Sequence, residues 1–296
     1  MRKLIISLLL AGASMMNLSA KNISPYIKVG EVEGTMQEVY GKVVNALAKN
    51  KFSILGKYHP EGKKSLQVIV FTRNDIKNTV VKVRDRGALA AAMRIGLQQK
   101  GNKVIVSYVN PEYVFRAYLG DSYNKYKKTF DNFGNDLKKA MSSVGSEFSS
   151  FGGSENAEKL KKYHYKIMMP YFTDPVKLNE YSSFKEGLET ITANLKSRKT
   201  GSWMVYKIVY PTKKVAVFGV ALRGSGKGSE AKFLPVIGES HIAAMPYEII
   251  LQNNKATMLH GKYRLALYWP ELSLGTFMKI VNTPGGIEDI MKQITK

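Results

Sequence analysis

The feature that most constrains how this chain can fold is an internal repeat, because a duplicated unit has to form the same structure twice. A first copy opens at Pro25-Tyr26-Ile27 and a second at Pro170-Tyr171-Phe172. Further matches follow in the same order. The first copy has a capping box (Thr35 with Glu38), two strand-like runs (52–58 and 66–72), a small-residue segment (87–98), a strand (103–108), a proline turn (Asn110-Pro111-Glu112-Tyr113) and a closing helix (131–144). The second copy has the same features at Ser183 with Glu186, at 203–210 and 214–222, at 241–252, at 257–268, at Trp269-Pro270-Glu271-Leu272 and at 283–294.

The repeat predicts an α/β fold of two tandem homologous domains, each with a mixed, partly antiparallel sheet covered by helices. The run from Ser142 to Ser154 is rich in serine and glycine, which is typical of a linker, and we place the linker at 146–159. The first repeat then spans 21–145 and the second 160–296. Two similar faces in one chain predict a monomer in which the repeats pack as a pseudo-twofold pair.

The first twenty residues have the pattern of a secretory signal peptide. Met1-Arg2-Lys3 is a positive start, and the apolar run from Leu4 to Leu10 is too short to span a bilayer. We expect cleavage after Ala20, with Ala13 as the alternative. No later apolar run is long enough to cross a membrane, and the chain has no cysteine to carry a lipid. The sequence therefore predicts a periplasmic or secreted protein without a transmembrane span.

Composition narrows the chemistry further. The absence of cysteine excludes disulfides, thiolate metal sites and cysteine nucleophiles. The net charge of +22 favours anionic partners, either a small molecule or an envelope lipid, whereas export disfavours nucleic acid. Three basic clusters, at Lys159–Lys166, Lys196–Lys199 and Lys213–Lys214, are interpreted as solvated faces. The glycine-rich loop at 223–229 departs from the P-loop pattern, and we expect no helix after it.

The sequence also resembles a known family. The pattern of Leu66–Phe71, the small residues before Met93-Arg94-Ile95, and Val109–Tyr113 with Ala117-Tyr118-Leu119 looks like the bacterial and archaeal family called domain of unknown function 302, DUF302. The resemblance covers both copies and is looser in the second. It implies a compact α/β unit that dimerises or duplicates, and it supplies no reaction or catalytic residue.

Our leading functional hypothesis is a non-catalytic protein that binds a small or amphipathic anion in a cleft between the repeats, where ligand sites often lie. The residues predicted to line this cleft are Arg94, Tyr108, Tyr247, His260 and Arg264. No cofactor can be identified from the sequence.

Two other hypotheses stay open. Glu239 and His241 would share one face of an extended segment, and with His260 they would supply two imidazoles and a carboxylate to a metal ion. The same three residues would also suit an acid–base enzyme, because histidine titrates near neutral pH. The third hypothesis is a structural protein of the cell envelope that grips a protein partner through one repeat.

Overall fold

The computed structural model of the protein describes residues 21–83, 85–165 and 169–296, and the predicted signal peptide lies outside them. The described part contains two large antiparallel sheets and one short two-stranded ladder, with helices packed on the sheets. This is the predicted class of fold. No helix within the described ranges combines the length and the apolar character that crossing a bilayer requires.

The first sheet has six strands in the order β3-β4-β5-β6-β2-β7. The elements of this first half are β1 (Asn22–Ile23), β2 (Tyr26–Glu33), α1 (Met36–Lys49), β3 (Ser53–Tyr58), β4 (Leu66–Thr72), α2 (Asn74–Val80), β5 (Met93–Lys100), β6 (Lys103–Val109), α3 (Pro111–Leu119), α4 (Ser122–Lys125), α5 (Lys127–Met141), β7 (Ser149–Phe151) and β8 (Glu155–Asn156), with a 3₁₀ segment at Gly87–Ala91. β1 pairs with β8 in the short ladder.

The second sheet has five strands in the order β10-β11-β12-β13-β9. Its half contains β9 (Val176–Glu180), α6 (Phe184–Lys196), β10 (Trp203–Tyr210), β11 (Val215–Ala221), α7 (Glu230–Ile237), β12 (Tyr247–Gln252), β13 (Lys255–Met258), α8 (Gly261–Tyr268), α9 (Leu274–Lys279) and α10 (Thr283–Ile294), with a 3₁₀ segment at Glu239–Ala244. Both halves therefore run strand, helix, two strands, helix, 3₁₀ segment, two strands and helix, and their strands take corresponding places.

Strand register extends the correspondence to single residues. In the first sheet Val70 on β4 pairs with Gly56 on β3 and with Arg94 on β5, and a bulge in β3 directly precedes Gly56. In the second sheet Gly219 on β11 pairs with Tyr206 on β10 and with Glu248 on β12, and a bulge in β10 directly precedes Tyr206. Arg94 and Glu248 therefore hold equivalent places in the two sheets. The pseudo-twofold relation between the halves as bodies stays a prediction.

Helix starts follow the local sequence. The Thr35 hydroxyl oxygen accepts a hydrogen bond from the Glu38 N–H at 3.3 Å, and the Glu38 carboxylate accepts one from the Thr35 N–H at 2.7 Å. This is the predicted capping box, and it begins α1. In α6 the Ser183 hydroxyl accepts from the Glu186 N–H at 3.1 Å, whereas the Glu186 carboxylate accepts from the Ser182 N–H instead.

The halves meet along a seam where backbone comes very close to backbone. A Cβ added at Gly56 would lie 2.1 Å from the Val205 carbonyl oxygen, so only glycine lets the edge strands β3 and β10 approach this closely. A Cβ added at Gly96 would lie 2.8 Å from Ile242, which belongs to the second half's 3₁₀ segment. These contacts leave no room for a cleft at the centre of the seam.

Four sequence predictions need correction. The strand predicted at 257–268 ends at Met258, and α8 follows it. The partner of the Asn110 turn is therefore His260-Gly261-Lys262-Tyr263, because both segments start a helix after the equivalent strand, and the match to Trp269–Leu272 is wrong. The match of Pro170–Phe172 to Pro25–Ile27 is displaced, since β9 begins only at Val176. A helix, α7, does follow the glycine-rich loop.

The predicted linker is more structured than its composition suggests. Its residues 149–151 form β7, which extends the first sheet beside β2, and residues 155–156 form β8. The Phe151 ring stacks on the Tyr26 ring with centroids 5.1 Å apart. This stretch therefore packs against the first half.

Candidate functional site

A buried charge cluster occupies the centre of the seam. Arg94 from β5 and Glu248 from β12 form an ion pair, and the Arg264 Nε from α8 lies 3.4 Å from the other oxygen of the same carboxylate. The Arg264 guanidinium also donates to the carbonyl oxygens of Ala244 and Pro246. One carboxylate thus faces two guanidinium groups, and backbone carbonyls take up part of the excess positive charge.

Tyrosines surround this cluster. The Arg94 guanidinium donates to the Tyr268 hydroxyl at 3.2 Å, and that hydroxyl lies 3.1 Å from the Tyr118 hydroxyl. The Arg264 guanidinium lies 3.8 Å from the centre of the Tyr247 ring, within cation–π range. Burial raises the pKa of Tyr118 well above its ordinary value, so its hydroxyl stays protonated as a neutral partner.

Three of the five residues predicted to bind a ligand meet in this cluster. Arg94, Tyr247 and Arg264 are each at most 1% exposed, so they fill the seam and do not line an open cleft. Tyr108 points away from them, because it pairs with Ile95, whose side chain lies on the sheet face opposite to that of Arg94. His260 lies apart from the cluster at the start of α8.

The three residues of the predicted metal site do not come together. The Glu239 carboxylate accepts from the Lys63 ammonium at 2.5 Å and from the Gln98 amide at 3.4 Å. The His260 Nδ1 accepts from the Lys262 N–H and caps α8. No group of three metal-ligating side chains occurs within the ranges that the structure describes.

His241 has a different carboxylate partner from the one predicted. Its Nε2 lies 3.0 Å from Glu271, and its Nδ1 lies 3.0 Å from the Ser240 hydroxyl. Glu239 cannot share a face with His241 because the segment is a 3₁₀ helix and not a strand. Tyr26 and Trp269 pack around the imidazole, and this burial lowers the pKa of His241 despite the opposing effect of Glu271. The ring is therefore neutral at pH 7.

An open hollow does exist between the halves, at one end of the seam. We call it the inter-half hollow, and its volume is about 350 Å³. The first half contributes Val83, Asp85 and the end of α3 with the following turn. The second half contributes a basic and aromatic stretch. Its residues that line the hollow are Lys161, Lys162, Tyr163, Tyr171, Phe172 and Thr173.

The charges around the inter-half hollow are unequally paired. Asp85 is neutralised by Arg86 at 2.7 Å, and Lys161 is paired with Glu158 at 2.5 Å. Lys162 has no carboxylate within ion-pair distance in the described part of the chain. The Arg86 guanidinium donates to the Phe172 carbonyl oxygen at 2.8 Å and so holds this wall in place. The hollow therefore presents one unpaired positive charge beside aromatic rings.

His260 lies in an adjoining, more open hollow. That hollow has a volume of about 620 Å³ and is also lined by His164, Asp174 and Lys262. Tyr171 belongs to both hollows, and its ring stacks on His164 with centroids 4.1 Å apart. His260, one of the five predicted ligand residues, thus lines a hollow that adjoins the inter-half hollow at Tyr171.

Sequence reasoning missed most of this hollow. The signal was present in the basic cluster at Lys159–Lys166, which alternates lysine with tyrosine. Composition alone predicts a solvated face for this cluster. The structure instead folds its residues 161–163 against the end of α3, where they face a concave surface.

Comparison with known proteins gives little more. No protein-family model matches the chain. No curated protein matches it either. Among solved structures, the chain is similar to an uncharacterised conserved protein, DUF302, from Bacillus stearothermophilus, with 10% sequence identity and a TM-score of 0.35, over 40% of this chain and 97% of that chain. Membership of the DUF302 family stays a prediction.

Proposed function

We propose that this protein is an exported, non-catalytic binding protein whose ligand is an amphipathic anion held in the inter-half hollow. The observation that carries the proposal is the combination, in one hollow between the halves, of an aromatic lining with the unpaired Lys162 ammonium. A volume of about 350 Å³ suits a small organic ligand. The inter-repeat location is the one that the duplicated sequence led us to expect.

The lining indicates how such a ligand would bind. Its apolar body would lie on the rings of Tyr118, Tyr171 and Phe172, where the Tyr118 and Phe172 centroids are 5.2 Å apart. Its acidic group would face Lys162, because a carboxylate or sulfonate gains most from a cation that has no internal partner. A longer head group would extend past Tyr171 toward His260.

The test is a fluorescence titration with 8-anilinonaphthalene-1-sulfonate, an amphipathic anion, followed by displacement with oleate. Lys162→Glu should weaken probe binding about tenfold or more, because it replaces a charge-assisted contact with a repulsion. Lys128→Glu on α5 is the matched control, since this exposed lysine makes the same change in net charge away from the hollow. Equal weakening by both variants would refute the site and leave only a general effect of charge.

A second candidate function is acid–base catalysis at His241, favoured by the chain of contacts from Ser240 through His241 to Glu271. The neutral imidazole could accept a proton from the Ser240 hydroxyl, while Glu271 would stabilise the imidazolium. Hydrolysis of p-nitrophenyl acetate by the purified protein, lost equally in Ser240→Ala and His241→Ala, would support this function. Activity that survives both substitutions would exclude it.

A further inference from the structure

A group of exposed apolar side chains lies on one face of the second half. Leu274 is 74% exposed and Met278 is 58% exposed, and their spacing of four residues puts both on one side of α9. Val281, in the turn after α9, is 42% exposed. Val236, on the neighbouring α7, is 38% exposed. Four of the seven large apolar side chains that are exposed in the described residues therefore belong to α7, α9 and the turn after α9.

Unpaired lysines lie beside these apolar residues. Lys232 from α7, Lys279 from α9 and Lys227 from the glycine-rich loop line one pocket of about 190 Å³. None of the three has a carboxylate within ion-pair distance in the described part of the chain, and no carboxylate lines the pocket. We call the three lysines and the four apolar residues together the α7–α9 face.

We propose that the α7–α9 face docks the protein on an anionic lipid surface. Apolar side chains that project from a short helix can enter the headgroup region, while the neighbouring lysines pair with lipid phosphates. The apolar character continues into a groove of about 270 Å³ whose lining includes Trp269, Leu272 and Phe277. None of the residues of the α7–α9 face lines the inter-half hollow, so the inference goes beyond the proposed function.

Charge decides between a membrane and a second copy of the chain. An isologous dimer through this face would bring the lysines of both copies together, and no carboxylate of the pocket would neutralise them. An anionic bilayer supplies the missing negative charge and an apolar layer at once. The net charge of +22 acts in the same direction by attracting the whole chain to such a surface.

The experiment is vesicle flotation with the mature protein that cleavage after Ala20 would leave, because the apolar run Leu4–Leu10 of the predicted signal peptide would itself bind lipid. Binding should occur on vesicles that contain phosphatidylglycerol, be much weaker on phosphatidylcholine alone, and fall as sodium chloride is raised. The double variant Lys232→Glu/Lys279→Glu should weaken binding at least about tenfold. The matched control Lys128→Glu/Lys185→Glu, with the same change in net charge, should bind nearly as the parent does.

A second variant separates insertion from attraction. Leu274→Ser/Met278→Ser keeps every charge and alters only highly exposed side chains, so the fold should be unaffected and binding should still fall several-fold. Binding that is equal for the two lysine double variants, or unchanged in Leu274→Ser/Met278→Ser, would overturn the proposal. So would a dimer in solution that dissociates in Leu274→Ser/Met278→Ser. Probe binding in the inter-half hollow should stay unchanged in all these variants, which keeps the two proposals distinguishable.

Discussion

The two halves have the same order of strands, yet they place different residues at equivalent positions of the seam. Arg94 in the first half corresponds to Glu248 in the second, and these two residues form an ion pair with each other. Two identical copies packed in this way would bring like charges together in a dry interface, which is strongly unfavourable. Packing of the two halves at the seam therefore requires that the two copies differ at this position.

The helices α3 and α8, which follow β6 and β13, give a second contrast. Val114 and Arg264 both donate their N–H to the carbonyl of the capping residue four positions earlier, so they are equivalent. The first half has an apolar residue there and the second has a buried guanidinium. The second half therefore brings the extra positive charge, and Glu248 has to balance both arginines.

The largest effect is expected from removing that shared carboxylate. Glu248→Gln leaves two buried guanidinium groups uncompensated, so the free energy of unfolding should fall by about 3–5 kcal/mol. Arg94→Met should have a smaller effect, because Glu248 keeps Arg264 as a partner. Urea denaturation followed by circular dichroism measures both. A greater loss in Arg94→Met would contradict the asymmetry between the halves.

An exposed ion pair provides the control for that experiment. Glu180 accepts from Lys177 at 2.6 Å on the surface of the second half. Glu180→Gln removes the same type of charge as Glu248→Gln and should change stability far less than Glu248→Gln does, because solvent screens the pair. Burial, and not the count of ion pairs, should account for the difference.

A third contrast concerns the first residue of α2 and of α7, which is the exposed Asn74 in one half and the buried Glu230 in the other. Glu230 accepts hydrogen bonds from the Tyr58 hydroxyl at 2.9 Å and from the Glu61 N–H at 3.1 Å, both in the first half. Burial nevertheless raises the pKa of Glu230 to about 7.

This pKa predicts how stability depends on pH. The native state holds the proton more tightly than the unfolded chain does, so the contribution of Glu230 falls as pH rises from about 4.5 to about 7. The unfolding free energy of the parent, relative to that of Glu230→Gln, should fall by about 3 kcal/mol as pH rises across that window, because glutamine does not titrate. Urea denaturation at a series of pH values measures it, and a difference that is constant with pH would disprove the effect.

The smallest effects are expected at the equivalent helix caps, Asn110 and His260. Asn110→Ala should lower stability by about 1 kcal/mol, whereas His260→Asn should leave it nearly unchanged at neutral pH, because asparagine is a strong cap. Burial lowers the pKa of His260, so its contribution is present above the unfolded pKa of 6.5 and is lost as pH falls. Thermal unfolding at neutral and acidic pH tests this, and the asparagine variant should be the more acid-resistant. A parent protein that resists acid equally well would contradict the role of the His260 cap.

Much of the fold was predictable because its signals are local. The cap of α1 lies within four residues, and the alternating apolar residues of the strands need no distant partner. The error at 257–268 has a physical reason. That run combines strand-forming and helix-forming residues, and the helix is selected by the cap at His260, whose imidazole is rarely taken as a capping group.

The candidate sites were predictable only in part. His241 was singled out, but its partner Glu271 is distant in the sequence and has no spacing signal that links the two. Lys162 was interpreted as part of a solvated face because a lysine cluster looks the same on a convex and on a concave surface. The exposed positions of Leu274 and Met278 could not be inferred, since leucine and methionine usually indicate a core.

By itself the sequence determined the two matching series of elements, the helix caps and the excess of positive charge, because each of these depends on neighbours in the chain or on composition alone. The tertiary structure decided which charges are neutralised and which stay free. Glu248 is buried between two arginines, whereas Lys162, Lys232 and Lys279 face solvent without partners in the described residues. Pairing requires contact within a few ångströms between residues from different elements, and only the packing of the two sheets brings such residues together.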